Sequence, residues 1–457
     1  MDTFSSLLGY KTTDYSHNKK IALENIKKLN HILNAFCQIY EKDLDGDSPA
    51  PTPTLNGCIV SIKDLFCYKD HPVQAASKIL DGFISPYSST SVQRLLDNGA
   101  RIIGHTNCDE FGMGGSNEHS LYGSSHNYLD TTKTPGGSSG GAAVAVQADM
   151  CHVSLGTDTG GSVRQPAAFC GVIGFKPSYG VISRWGVIAH ASSFDTVGLL
   201  AKKINYIEDV FKVICGFDEK DLSMSRDYTY TPQRAKERYN IAYLEDTLSY
   251  PSLQEEIKTS TDSFLKDLKS QGHKVEAVSC DLLKYAVAVY YVLTTTEASS
   301  NLARYDGIRY GYRTKQYTDY QDLITKTRTE GFGEEVQRRL LCGNYIFDTR
   351  ETNHYYSTAI DLRQAFKNYF TDIFRKYDFI VLPTTATTAF KIHDCHITQE
   401  QMWLSDIFTV IASIGQVPAI SIPYGHDNDN MPIGMQIIAN QYHDNSLLTF
   451  CKSILKC

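Results

Sequence analysis

The sequence predicts an α/β fold, and three observations predict it. Short apolar runs of strand length, such as "IVSI" at 59–62 and "FIVL" at 379–382, alternate along the chain with helix-like segments. The stretch 241–279 reads as strand, helix, strand: "IAYLED", then "LQEEIKTSTDSFLKDLKS", then "HKVEAVS", a βαβ unit. "AISIPYGHDNDNMPIGMQIIA" at 419–439 reads as a hairpin around a polar turn. With 457 residues, 42% of them hydrophobic, the chain can bury a large core.

The elements follow in order. Residues 17–40 predict an amphipathic helix, because Leu23, Ile26, Leu29, Leu33 and Phe36 recur at three- and four-residue steps. "DLDGDSPAPTPT" at 43–54 then reads as a linker. "GCIVSIKDLF" at 57–66 is a strand running into a loop. Residues 140–150, rich in Ala and Val, suit a helix packed closely on all sides, and "CHVSLG" at 151–156 suits a short buried strand. Residues 216–239 are polar and mark a connection. The chain holds no internal repeat and no low-complexity tract.

Composition excludes several classes. The net charge is −7 with no block of like charge, so the chain carries no electrostatic footprint for nucleic acid. In a nucleic-acid pathway, another molecule would hold the nucleic acid. Twelve cysteines are scattered singly, without a C-x-x-C pair, as free thiols in a reducing compartment would be. "HDCH" at 393–396 lacks a second ligand cluster at zinc spacing and reads as a loop, so no metal is expected. The first residues show no secretory apolar region. They contain Asp2, and no arginine precedes Arg94, so no transit peptide is evident. No apolar run reaches membrane-spanning length. The expectation is a soluble intracellular protein.

The chemistry concentrates in "TPGGSSGGAAVAVQADMCHVSLGTDTGGSVRQPA", residues 134–167. Two Ser–Gly clusters, around Ser138/Ser139 and around Ser162, flank a small-residue segment. "GGSSG" formally matches a nucleophile elbow, but that motif needs a buried strand before it, and here "YLDTTKTP" is polar. Ser162 follows a buried strand that opens into a glycine turn. There the N–H groups of Thr159, Gly160, Gly161 and Ser162 could converge on one oxygen, as an oxyanion hole requires. A plain tight turn is the competing reading.

A serine nucleophile also needs a base. The fourteen histidines offer no recognisable context. Lys63, a charge inside the apolar run "IVSIKDLF", is the alternative. To act near neutral pH its pKa must fall by roughly three units from ~10.4, a shift that burial can supply. Ser138 is available as a hydroxyl relay.

Taken together, "VSIKD", "GGSSGGAA" and "GTDTGGSVRQPAAFCGVIGFKPSYG" resemble the amidase signature family, with the family's spacing between Ser138 and Ser162. The resemblance runs from about Leu55 to Leu448. It implies a large twisted mixed sheet covered by helices on both faces, with 1–54 as an N-terminal helical segment and linker and 55–457 as the catalytic domain. It also implies a Ser–cisSer–Lys triad: Ser162 the nucleophile, Ser138 the relay after a cis peptide, Lys63 the base.

"SRWGVIAHASSFDTVG", "SSNLARYDGIRYGYRT", "EGFGEEVQRRLLCGNYIF" and "LPTTATTAF" further resemble the family's glutamine-hydrolysing amidotransferase branch. That likeness implies glutamine as substrate, held by Tyr290, Arg339 and Asp406. The neighbours Tyr291 and Arg338 are the competing register. It implies no cofactor in this chain. Ammonia would pass to a tRNA-binding amidotransferase partner of the B type, which uses ATP and Mg to convert Glu-tRNA(Gln) to Gln-tRNA(Gln). A small accessory subunit would complete the assembly. A short, divergent N-terminal region points to a mitochondrial form, with the bacterial cytoplasm as the alternative. The rival readings are a stand-alone amidase of small amides and a non-catalytic assembly protein. Retention of Lys63, Ser138, Ser162 and the glycines argues against the last.

Overall fold

In the computed structural model, residues 7, 9–10, 15–45, 54–348, 353–394 and 398–455 are described. Among these residues eleven strands form one mixed sheet. They are β1 (Phe36–Ile39), β2 (Ile59–Lys63), β3 (Arg101–Thr106), β4 (Val153–Asp158), β5 (Ile173–Lys176), β6 (Thr196–Ala201), β7 (Asn240–Leu244), β8 (Lys274–Val278), β9 (Phe379–Pro383), β10 (Ala419–His426) and β11 (Pro432–Ala439). Their order is β1-β3-β2-β4-β6-β5-β10-β11-β9-β7-β8. β3, β2 and β4 run parallel, as do β9, β7 and β8, with antiparallel pairs between these groups.

Alternating side chains point to opposite faces of a strand, and this sheet is buried on both. Phe379 and Val381 of β9 join one core, while Ile380 and Leu382 join another. Helices at Thr90–Asp97, Ile204–Ile214, Glu255–Ser270 and Asp444–Ile454 supply apolar side chains to the first core. The helices Ala286–Asn301, Asn353–Ile373 and Ile407–Ile414 cover the opposite face. The helices Tyr15–Leu33 and Gly140–Gln147 close a third cluster over β2 and β3. The α/β architecture with helices on both faces is as expected. So are the βαβ unit (β7, helix Glu255–Ser270, β8) and the β10–β11 hairpin.

The N-terminal helix departs from expectation. It ends at Leu33; Asn34 takes a left-handed φ of 48°, and Phe36–Ile39 becomes edge strand β1, antiparallel to β3. Phe36 is buried as its helical spacing suggested, but through sheet pairing: Tyr40 N donates to Ile103 O at 2.8 Å, and Asn107 N donates to Ala35 O at 2.9 Å. The expected boundary at 54/55 therefore lies between two strands of one sheet, β1 and β2. Most of the expected linker, residues 46–53, lies outside the described residues, as do Cys395 and His396 of "HDCH". His393 of that segment pairs with Glu118 at 2.9 Å. Among the described residues no helix is long and apolar enough to cross a membrane.

Candidate active site

The site forms where parallel strands end. β2 and β4 are adjacent and parallel, with Ile62 opposite Leu155, so Lys63 at the carboxyl end of β2 comes within reach of Thr157 near the carboxyl end of β4. That crevice is where open α/β sheets bind ligands. Lys63 is fully buried, and its Nζ lies 2.7 Å from Ser138 Oγ, 3.0 Å from Ser139 Oγ and 3.0 Å from Thr157 Oγ1. Burial holds the amine below its ordinary pKa, against the opposing influence of Cys108 and Asp109.

The Gly137–Ser138 peptide is cis. Two neighbours clamp this turn. Gln165 Oε1 accepts from Gly137 N at 2.9 Å, and Ser138 O accepts from Asp109 N at 3.2 Å. Residue 137 must be glycine for space, since a Cβ there would lie 2.1 Å from Asp109 Oδ2. Ser139 N then donates to Ser162 O at 3.1 Å, which joins the two Ser–Gly turns.

Ser162 is 8% exposed, whereas Ser138 and Ser139 are fully buried, so of these serines Ser162 meets the open side. The N–H groups of Gly160, Gly161 and Ser162 have no acceptor among the described residues. Thr159 is fixed by its side chain, with Oγ1 donating to Asp195 Oδ1 at 2.7 Å, and Gly161 O accepts from Gln165 N at 2.8 Å.

Beneath the turn lies a buried ion pair that sequence reasoning missed. Arg164 and Asp158 are both fully buried. Arg164 Nε and Nη2 donate to the two carboxylate oxygens at 2.9 and 2.7 Å, the paired geometry guanidinium and carboxylate favour. The remaining donors reach Thr409 O at 2.7 Å, Gln436 Oε1 at 2.6 Å and Ser413 Oγ at 3.1 Å. Burial alone would raise the Asp158 carboxyl; Arg164 overcomes it and holds it below the usual range. The two residues bracket Thr159–Val163, so the pair pins both ends of the Ser162 turn. Their placement around the glycine turn in "TDTGGSVR" was the available signal.

Of the three residues expected to hold substrate, Tyr290 packs against the same turn, and Asp406 and Arg339 both act electrostatically on Tyr290. Tyr290, in the helix Ala286–Asn301, packs on Gly160 so closely that a Cβ there would be 2.5 Å from Tyr290 Cζ. Arg339 is 4% exposed; its Nε donates to Glu335 Oε1 at 2.8 Å, and its terminal nitrogens have no hydrogen-bond partner among the described residues. Asp406 precedes the helix Ile407–Ile414, and its carboxylate accepts no hydrogen bond among the described residues. Burial raises that carboxyl to about 7, with Arg339 opposing. In the competing register, Arg338 turns outward to Glu334 at 2.9 Å, and Tyr291 stacks on Trp403 at 4.7 Å. Among the described residues no cluster of His, Cys, Asp and Glu could hold a metal ion.

The geometry has counterparts. The amidase family model matches residues 12–448. The chain is 44% identical over 385 residues to the A-type glutamyl-tRNA(Gln) amidotransferase subunit of Ruminiclostridium cellulolyticum, covering 83% of this chain and 79% of that protein. It is 41% identical over 457 residues to the corresponding protein of Nitrosomonas europaea, covering 97% and 94%. The crystal structure of the corresponding Thermotoga maritima protein superposes with a TM-score of 0.81 at 32% identity, covering 99% of this chain and 96% of that one. A buried lysine beside a serine pair, on a sheet shared with these proteins over nearly the whole length, leads to one conclusion: the chain belongs to the amidase family.

Proposed function

We propose that this chain is the glutamine-hydrolysing component of a Glu-tRNA(Gln) amidotransferase, with Ser162 as nucleophile, Ser138 as relay and Lys63 as base. The observation that carries the reading is the buried Lys63 amine 2.7 Å from Ser138 Oγ. With its pKa lowered by burial, the amine takes the Ser138 proton while Ser138 takes that of Ser162. Ser162 Oγ attacks the carboxamide carbon of glutamine. The oxyanion meets the N–H groups of the Thr159–Ser162 turn, where one lost donor costs ~3 kcal/mol of transition-state stabilisation. The tetrahedral species expels ammonia, protonated through the same relay. Water then enters by the reverse route and releases glutamate. Arg339 holds the α-carboxylate, Asp406 the α-ammonium, and Tyr290 packs against the substrate.

Ammonia passes to the tRNA-binding partner of the B type, which uses ATP and Mg to convert Glu-tRNA(Gln) to Gln-tRNA(Gln), with a small accessory protein completing the assembly. A net charge of −7 supports leaving the tRNA to the partner. The proposed location is mitochondrial; the relatives named above are bacterial, and the bacterial cytoplasm is the alternative. A stand-alone amidase would use the same three residues, but the opposed charges of Arg339 and Asp406 favour an amino-acid substrate.

The test is co-expression with candidate partners, followed by glutaminase assays with and without tRNA and ATP. Activity that depends on the assembly supports the reading. Robust hydrolysis of small neutral amides by the chain alone, with glutamine ignored, would establish the amidase instead.

A further inference from the structure

One buried polar side chain at the site has no role in the chemistry above. His190 is 2% exposed, and among the described residues neither ring nitrogen finds a hydrogen-bond partner. Buried polar groups are nearly always paired, because an unpaired one loses its bonds to water without replacement, so this ring calls for a cause.

The backbone around His190 is held on both sides. His190 N and Ala191 N donate to Asp195 Oδ2 at 2.9 and 3.0 Å, and Asn301 Nδ2 donates to His190 O at 3.1 Å. The other Asp195 oxygen receives Thr159 Oγ1, so the His190 segment is clipped directly to the Ser162 turn. Asn301 ends the helix that carries Tyr290. The ring is therefore positioned by the two elements that frame the site, yet makes no hydrogen bond to either.

Its electrostatic surroundings point the same way. Burial, and after it the positive charges of Arg339 and Lys63, hold the imidazole well below its ordinary pKa and so neutral. A neutral imidazole keeps one N–H donor. Arg339 commits its Nε to Glu335, so a carboxylate bound there has acceptor capacity left over.

We infer that His190 contacts the substrate, donating a ring N–H to the α-carboxylate of glutamine beside Arg339. This rests on the glutaminase reading above, with His190 as a specificity-determining residue rather than part of the proton relay.

The experiment compares His190→Phe and His190→Gln with the parent in the assembled complex. Phenylalanine fills the volume without a donor; glutamine restores one. His190→Phe should raise KM for glutamine about tenfold with kcat within about twofold, the size expected for one charge-assisted hydrogen bond. Hydrolysis of a neutral amide without an α-carboxylate should not change, and the melting temperature should not fall, because an unpaired polar ring has been removed. His190→Gln should recover part of the KM. An unchanged KM in His190→Phe, or an equal loss on both substrates, overturns the inference. A parent complex without glutaminase activity would instead sink the function on which it rests.

Discussion

Tyr290 lies against Gly160 with no room for a methyl group between them, since a Cβ at 160 would sit 2.5 Å from Cζ and 2.7 Å from the hydroxyl. The helix Ala286–Asn301 thereby sets the position of the turn that precedes Ser162. Overpacking such a contact costs ~1–3 kcal/mol, taken up by moving the turn or the ring. Gly160→Ala is expected to lower turnover of both glutamine and a small neutral amide at least tenfold. Adding Tyr290→Leu should recover the neutral amide, which does not need the tyrosine. A double variant no better than the single one would show that the contact does not govern the turn.

The Lys63–Ser138–Ser162 arrangement should behave as one unit. Ser162→Ala and Lys63→Ala should each abolish glutaminase activity to a similar extent, because members of a catalytic unit are non-additive, and Ser138→Ala should lose most of it. Amidation driven by added ammonia should survive in all three, since it belongs to the partner. A Lys63 variant with only a modest loss would point to another base.

Substrate selectivity offers a second readout. Arg339→Ala and Asp406→Asn each remove a charge-assisted bond worth roughly 1.5–3 kcal/mol, so kcat/KM for glutamine should fall about tenfold or more. A neutral amide should be hydrolysed as by the parent. Equal losses on both substrates would indicate general damage.

Asp406 also predicts a pH dependence. Burial raises its carboxyl from 3.8 to about 7, so the free site holds a neutral acid below that pH and a carboxylate above it. The kcat/KM for glutamine should therefore fall on the acid side of about 7, and Asp406→Asn should erase that limb. Stability runs the other way. Between 3.8 and about 7 the folded state keeps a proton the unfolded chain has released, so this group's contribution is lost as pH rises through that window. Asp406→Asn should raise the melting temperature more at pH ~8 than at pH ~4. A pH-independent difference would contradict the shift.

The Arg164–Asp158 pair predicts a structural loss. Removing one partner of a buried, hydrogen-bonded pair leaves an uncompensated charge and costs about 3–5 kcal/mol. Arg164→Met should lower the urea midpoint and abolish glutaminase activity together, because the Ser162 turn loses its anchor. Arg164→Met with Asp158→Asn should be more stable than the sum of the single losses implies. Strict additivity would mean that the two residues act independently.

Local pattern was enough to find the strands carrying Lys63 and the Ser162 turn, the βαβ unit and the final hairpin. Each depends on periodicity or turn chemistry within a few residues. The same locality misled at Phe36, whose spacing fits the preceding helix. Whether the chain continues that helix or turns at Asn34 into β1 depends on the free edge of β3, about seventy residues away in sequence. The serine pair and the lysine were legible as residue types in telling contexts. That Lys63 Nζ meets Thr157 follows from the adjacency of β2 and β4, and that it meets Ser138 and Ser139 from the bonds tying their turn to Asp109 and Ser162. Arg339 inward and Arg338 outward follow from which side of one helix meets Tyr290 and Tyr291, a matter of packing that the run "VQRRLL" leaves open. The burial of Arg164 with Asp158 and the unpaired ring of His190 belong wholly to the tertiary structure. Periodicity reports which residues leave water, but a charge or a hydrogen bond acquires its meaning from neighbours brought together across the chain.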